Sequence, residues 1–120
     1  MRRHARAVGV KLPPCEQTAL DTLFEGDREL YLAYRAACLE QFPLDLQTGD
    51  ALLAAREHEA LRRLVHSLKG VLGSLGYSAL ALAARGLEEA LAGEADWPEL
   101  QPAWADLRQR MVASFGLKSP

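Results

Sequence analysis

A histidine, a lysine and two glycines lie close together in the stretch HSLKGVLGSLG, residues 66–76. His66 is followed at i+3 by Lys69, at i+4 by Gly70 and at i+7 by Gly73. Neutral imidazole is a good nitrogen nucleophile near neutral pH, and a lysine ammonium can neutralise an anionic group. Glycine costs a helix interior about 1 kcal/mol relative to alanine. Two glycines at helical spacing beside a histidine therefore need an explanation.

The explanation begins with the helix that this stretch belongs to, predicted over about residues 58–75. Its apolar residues follow the i, i+3, i+4, i+7 spacing of one buried face. They are Leu61, Leu64, Val65, Leu68, Leu72 and Leu75. At 100° per residue, His66 points roughly 140° away from this face, towards solvent. Four residues fall within about 60° of His66 on the same outer surface: Arg62, Lys69, Gly70 and Gly73.

An exposed imidazole with a neighbouring cation is suited to phosphoryl transfer. That reaction depends on in-line approach and charge neutralisation more than on covalent chemistry from the protein. Lys69 can reach phosphoryl oxygens as a point charge. Gly70 leaves the ring uncovered, and Gly73 widens the opening for another protein's active site. We therefore predict that His66 is a phosphoacceptor, with Lys69 stabilising the phosphoryl charge.

The remaining sequence predicts further helices and an all-α fold. One helical pattern starts near residue 27, meets Pro43 and continues to about 57, as one kinked helix or two stacked ones. Another runs from about Ser78 and ends at Gly93. The last starts at Asp96, although Pro102 predicts a kink or a later start. A short helix is predicted from about Glu16 to Phe24. We expect an antiparallel up-and-down four-helix bundle with one or two additional short N-terminal helices.

At the histidine motif the sequence resembles the histidine-containing phosphotransfer (HPt) domain family. The residues that carry this resemblance are His66, Leu68, Lys69, Gly70, Gly73, Leu75 and Gly76. It extends to LEEAL, residues 87–91, and to GDRELYLAYRAACLEQF upstream, and covers about residues 16–115. It implies a phosphocarrier without intrinsic kinase activity, whose histidine accepts a phosphoryl group from one receiver aspartate and passes it to another. The partners implied are response-regulator receiver domains or a hybrid sensor histidine kinase.

Several expectations follow for partners and cofactors. No cofactor or metal is expected in this chain, and Mg²⁺ would come from the partner receiver domain. Gly70, Gly73, Arg62 and Ser74 are candidates for docking, although surface arginines are usually solvated and a helical serine can bond a backbone carbonyl. The acidic pair Glu88 and Glu89 is expected to cap solvent-facing charges. Two other functions remain open: a non-catalytic adaptor that binds a receiver or kinase, and the phosphoacceptor domain of a larger hybrid histidine kinase.

Composition and charge limit the other classes of function. The chain has 120 residues, 49% of them hydrophobic and 25% charged, and a net charge of −2. This balance gives no reason to expect nucleic acid or a membrane as partner, and we expect a cytoplasmic monomer. The first eleven residues hold four basic residues and no acid, so the rest of the chain carries −6. We predict a flexible basic tail over 1–14, the helical bundle over 15–116 and a C-terminal tail over 117–120.

Overall fold

The computed structural model describes residues 11–118, and every regular element in that range is a helix. The five helices are α1 (Pro14–Leu23), α2 (Arg28–Ala54), α3 (His58–Leu75), α4 (Ser78–Ala92) and α5 (Trp97–Phe115). The all-α class predicted from the sequence is confirmed for this part of the chain. Residues 1–10 of the predicted basic tail lie outside it, so that prediction stays open.

Helix α2 is continuous through Pro43, which settles the choice left open by the sequence in favour of one helix. Pro43 cannot donate the backbone hydrogen bond to residue 39, which costs the helix one bond. Burial on a single face offsets this loss. Cys38, Phe42, Leu46 and Gly49 are all buried at spacings of three or four residues, on both sides of the proline. Packing along the whole length therefore holds α2 together.

Helix α5 starts at Trp97, so the later start considered for the region of Pro102 is wrong. The helix starts there because a capping box stabilises its first turn. The Asp96 side chain accepts from the backbone at Glu99, and the Glu99 side chain accepts from the backbone of Asp96, which completes a capping box. These bonds satisfy donors that the first turn of a helix otherwise leaves unpaired. Pro102 is accommodated inside the helix.

The turn between α3 and α4 positions the short helix α1. Gly76 ends α3 with φ of +103°, a left-handed conformation that favours glycine. A Cβ atom at this position would also overlap the backbone carbonyl of Cys15. Helix α1 therefore packs directly on the α3–α4 turn, and this close approach requires a glycine for two independent reasons.

Polar contacts at the same end connect α1 to the rest of the molecule. Glu16 on α1 is fully buried. It accepts hydrogen bonds from Arg35 Nε at 2.8 Å and from the Tyr77 hydroxyl at 2.5 Å. The Tyr31 hydroxyl donates to the backbone oxygen of Leu75 at 2.7 Å. A buried carboxylate is tolerated here because its oxygens are hydrogen-bonded and one partner is a cation.

The long helices enclose one core. Helix α3 packs most extensively against α4, and contacts also join α2 to α3, α4 to α5 and α5 back to α2. The core is dominated by leucines, with Tyr31, Phe42, Trp104 and Met111 as its larger members. Between residues 11 and 118 no helix combines the length and the apolar character needed to cross a membrane.

Candidate functional site

The outer face of α3 follows from the burial of its inner face. Leu61, Val65, Leu68, Leu72 and Leu75 are buried at helical spacing and fix the rotation of the helix. His66, which falls between these positions, faces outward with 62% of its side chain exposed. The structure thus places the imidazole at the surface, where another protein can reach it.

The two glycines after His66 leave that surface open. A Cβ atom built at Gly70 would have no neighbour within 4 Å among the described residues, apart from its own stretch of helix. At Gly73 the nearest atom would be the Cβ of Ala81, at 3.9 Å, which is ordinary van der Waals contact. Neither glycine is required by a close helix crossing. A larger side chain at Gly70 would occupy space one turn after the histidine, whereas Gly73 lies a further turn along and lines a groove with Cys15 and Ala19 of α1.

Glu88 on α4 contacts both His66 and Lys69. Its Oε2 atom lies 2.7 Å from His66 Nδ1, and its Oε1 atom lies 2.7 Å from Lys69 Nζ. Hydrogen bonds from Lys69 and then from His66 lower the pKa of Glu88. The Glu88 side chain is 15% exposed and pairs with two groups at the surface, in line with the expected capping of solvent-facing charges. Sequence analysis missed this residue because its position depends on the packing register of α4 against α3.

The Glu88 contact determines which imidazole nitrogen is available. An ionised carboxylate can only accept hydrogen bonds, so Nδ1 of His66 must carry the proton that it donates. In the neutral ring Nε2 then has a free lone pair. No hydrogen bond to Nε2 is formed by any residue between 11 and 118. The exposed imidazole therefore presents Nε2 as a nucleophile, with the opposite side of the ring held by Glu88.

A small cavity lies beside His66 on the N-terminal side. Its volume is about 390 Å³, and it is lined by Arg62, Arg63, His66, Ser67 and Glu88. Arg62 donates to both oxygens of Glu59, at 3.1 Å from Nε and 2.5 Å from Nη2. The more distant contact of Arg63 to the same carboxylate is 3.4 Å. The cavity wall therefore holds two guanidinium groups that share Glu59, together with the carboxylate of Glu88.

Ser74 lies away from this cluster. It is half-buried on α3 and faces Tyr34 of α2. Burial raises the pKa of the Tyr34 hydroxyl, and a hydrogen bond with Ser74 acts in the opposite direction. Of the residues predicted for the site, the structure brings His66, Lys69 and Arg62 together near the open position of Gly70, and Gly73 lies one turn further along α3. Ser74 stands on the other flank of the helix.

Comparison of the sequence with known proteins identifies a family that carries such a histidine surface. Residues 33–114 match the family described as the Hpt domain, which covers most of the chain and includes the histidine motif. No curated protein and no solved structure matches the chain. Hpt domains are phosphocarrier modules rather than kinases, and the match implies a role in histidine phosphotransfer within two-component signalling. The chain belongs to the Hpt domain family.

Proposed function

We propose that this protein is a phosphorelay intermediate that carries a phosphoryl group on Nε2 of His66. The observation that supports this assignment is the exposed imidazole whose Nδ1 is held by Glu88 at 2.7 Å. A hydrogen bond at one ring nitrogen sets the tautomer and leaves the other nitrogen nucleophilic. His66 would accept the group from an aspartyl phosphate of one receiver domain and pass it to the aspartate of another.

In the transfer step one bond to phosphorus forms as another breaks. Nε2 attacks phosphorus, the bond from phosphorus to the aspartate oxygen breaks, and the aspartate leaves as a carboxylate. Because Nδ1 already carries a proton, the phosphorylated ring is positively charged. The Glu88 carboxylate stabilises that charge, as a carboxylate next to imidazole does in other catalytic sites. Transfer onward reverses each of these changes.

Lys69 is the proposed charge partner for the phosphoryl oxygens. In the structure its ammonium is paired with Glu88 at 2.7 Å, so it would have to exchange partners during the reaction. Gly70 and Gly73 give the receiver room to approach His66. Arg62 is a proposed docking residue at the edge of the same surface, and Ser74 is a proposed contact on its far flank.

The proposed partners are receiver domains of response regulators, a hybrid sensor histidine kinase, or both. The receiver would supply Mg²⁺ with its aspartate, because in phosphoryl transfer the metal neutralises the developing charge. We place the protein in the cytoplasm as a monomer, without nucleic acid or membrane as partner. The ring of contacts among α2, α3, α4 and α5, joined by short turns, supports an antiparallel up-and-down arrangement of these four helices.

Phosphate uptake from a receiver tests the assignment. Wild type, His66→Gln and His58→Gln would each be incubated with a phosphorylated receiver and Mg²⁺, and acid-labile phosphate on the protein measured. We expect wild type and His58→Gln to be labelled and His66→Gln to remain unlabelled. His58 is a suitable control because it is exposed at the start of the same helix, where its ring lies against that of Trp97. Equal labelling of His66→Gln would overturn the assignment.

A further inference from the structure

The cavity beside His66 lies where a group bound to its ring would be expected. Side chains of an α-helix tilt towards its N-terminus, so the His66 ring covers the surface above the preceding turn. Arg62 and Arg63 occupy that turn, at i−4 and i−3. Both line the 390 Å³ cavity together with the imidazole. Lys69 follows His66 in the chain and does not line this cavity.

The cationic groups around the imidazole differ between these two sides. Lys69 is paired with Glu88, whose other oxygen holds the imidazole. On the cavity side, Arg62 and Arg63 share the single carboxylate of Glu59. The carboxylate of Glu88 also lines the cavity, so the two guanidinium groups stand against two acids there. What distinguishes this side is the number and geometry of its donors, because two guanidinium groups offer a phosphoryl group more hydrogen bonds than one ammonium does.

Arg62 is better placed than Arg63 to contact a phosphoryl group on His66. The Arg62 side chain is 32% exposed and the Arg63 side chain is 65% exposed. At i−4, Arg62 lies on the same helical face as His66, within about 40° of it. A guanidinium group also fits two oxygens of a phosphoryl group at once, as it already fits both oxygens of Glu59.

We infer that the cavity is the binding site for the phosphoryl group on His66, and that Arg62 leaves Glu59 to pair with that group. This inference rests on the proposed function, since it requires phosphohistidine at position 66. It assigns Arg62 a direct contact with the phosphoryl oxygens in addition to docking. Glu59 then acts as the holder of Arg62 in the unphosphorylated protein.

The test uses a small phosphodonor, so that receiver docking has no influence. Wild type, Arg62→Gln, Lys69→Gln and Arg85→Gln would be phosphorylated with phosphoramidate. The second ionisation of the phosphoryl group would then be followed by ³¹P NMR against pH. Arg85 is the matched control, because it forms an ion pair with Glu89 on α4 and does not line the cavity. Helix content of each variant would be checked by circular dichroism.

A cation that contacts the phosphoryl group favours its dianion, so removing the cation raises the midpoint of this ionisation. We expect Arg62→Gln to raise the midpoint by roughly 0.2 to 0.7 pH units, the range typical of an exposed ion pair. Arg85→Gln should stay within error of wild type. A Glu59→Gln variant, which frees Arg62, should lower the midpoint.

Two outcomes would overturn the inference, and they are distinguishable from failure of the proposed function. If Lys69→Gln raises the midpoint and Arg62→Gln does not, the phosphoryl group lies on the Lys69 side and His66 remains the phosphoacceptor. If Arg62→Gln and Arg85→Gln have equal effects, Arg62 contributes only general charge. Absence of phosphohistidine in the wild type would overturn both the inference and the proposed function.

Discussion

Two polar clusters of this molecule are built from similar parts and differ in what covers them. Between α3 and α4, Glu88 accepts from His66 and Lys69 next to Gly70. Between α2 and α5, Asp50 accepts from Trp104 Nε1 at 2.8 Å and from Arg108. Gly49 precedes Asp50 in the chain. Each cluster is one carboxylate that joins two donors of a neighbouring helix, with a glycine nearby.

The glycines show that the clusters serve different purposes. A Cβ atom at Gly49 would overlap the ring of Trp104, which is 2% exposed. At Gly70 a Cβ atom would meet open space. Gly49 thus permits two helices to approach closely, and the ion pair beside it stabilises their contact. The cluster around His66 has its glycine and its imidazole at the surface, which suits contact with another molecule.

Of the changes that distinguish the two clusters, we expect the largest effect on stability from alanine at Gly49, the glycine covered by Trp104. Gly49→Ala should lower the free energy of unfolding by about 1–3 kcal/mol, because the added methyl group forces the Trp104 ring to move in a packed core. Chemical denaturation monitored by circular dichroism measures this loss. An unchanged or higher stability would show that Trp104 can move aside, and the contrast with Gly70 would no longer hold.

A larger side chain at the open glycine should affect function and leave stability intact. Gly70→Gln should keep or raise the melting temperature, since glutamine has the higher helix propensity. We expect it to weaken receiver binding or transfer by about tenfold, equivalent to roughly 1.4 kcal/mol, because the side chain obstructs approach to His66. A lower melting temperature with unchanged transfer per folded molecule would mean that Gly70 is covered as Gly49 is.

Lowering the pH should reduce the contribution of the Asp50 cluster to the free energy of unfolding. Burial alone would raise the pKa of Asp50, but hydrogen bonds from Arg108 and Trp104 outweigh it and leave the pKa lowered. A carboxyl group with a lowered pKa stabilises the fold above its unfolded pKa, and this contribution is lost as pH falls through the folded value. We therefore expect Asp50→Asn to cost up to about 1 kcal/mol at neutral pH, since Asp50 is partly exposed, and progressively less as pH falls below the ordinary aspartate pKa of 3.8.

Urea denaturation at a series of pH values measures this difference. Glu88→Gln is the matched change in the other cluster, and it should leave the combined fluorescence of Trp97 and Trp104 unchanged at neutral pH. If the stability difference between wild type and Asp50→Asn showed no decrease as the protein was acidified until it unfolded, the ionised carboxylate would not be its source.

The smallest effect is expected at His66 itself. Because the imidazole is exposed and its hydrogen bond to Glu88 lies at the surface, His66→Gln should change the free energy of unfolding by less than about 0.5 kcal/mol. The measurement is equilibrium denaturation of unphosphorylated protein. A loss comparable to that of Gly49→Ala would place His66 among the residues that hold the fold together.

Local patterns in the sequence were sufficient to predict the helices and the outward direction of His66. The leucine stripe of α3 fixes its buried face, and Gly76 and Asp96 mark helix ends through local backbone chemistry. These features depend on residues three or four positions apart. They are encoded by helical periodicity and capping, which need no knowledge of the other helices.

Features that depend on contacts between helices could not be predicted in the same way. Glu88 lies 22 residues after His66, and their contact is set by how α3 and α4 pack. Gly49 is explained only by Trp104, which is on another helix. Glu16 has the pattern of an ordinary exposed acid at a helix start, yet it is fully buried against Arg35 and Tyr77. The role of each of these residues depends on packing between helices that are distant in the sequence.

The buried Glu16 also determines where this domain can be cut or fused. The family match begins at residue 33, inside α2, whereas Glu16 lies well before it and its contacts reach Tyr77 at the α3–α4 turn. A fragment trimmed to the matched residues would leave Arg35 and Tyr77 without their carboxylate and would uncover the core next to Gly76. Any transplanted version of the domain should therefore begin before Pro14, and a linker to another module is best attached upstream of α1.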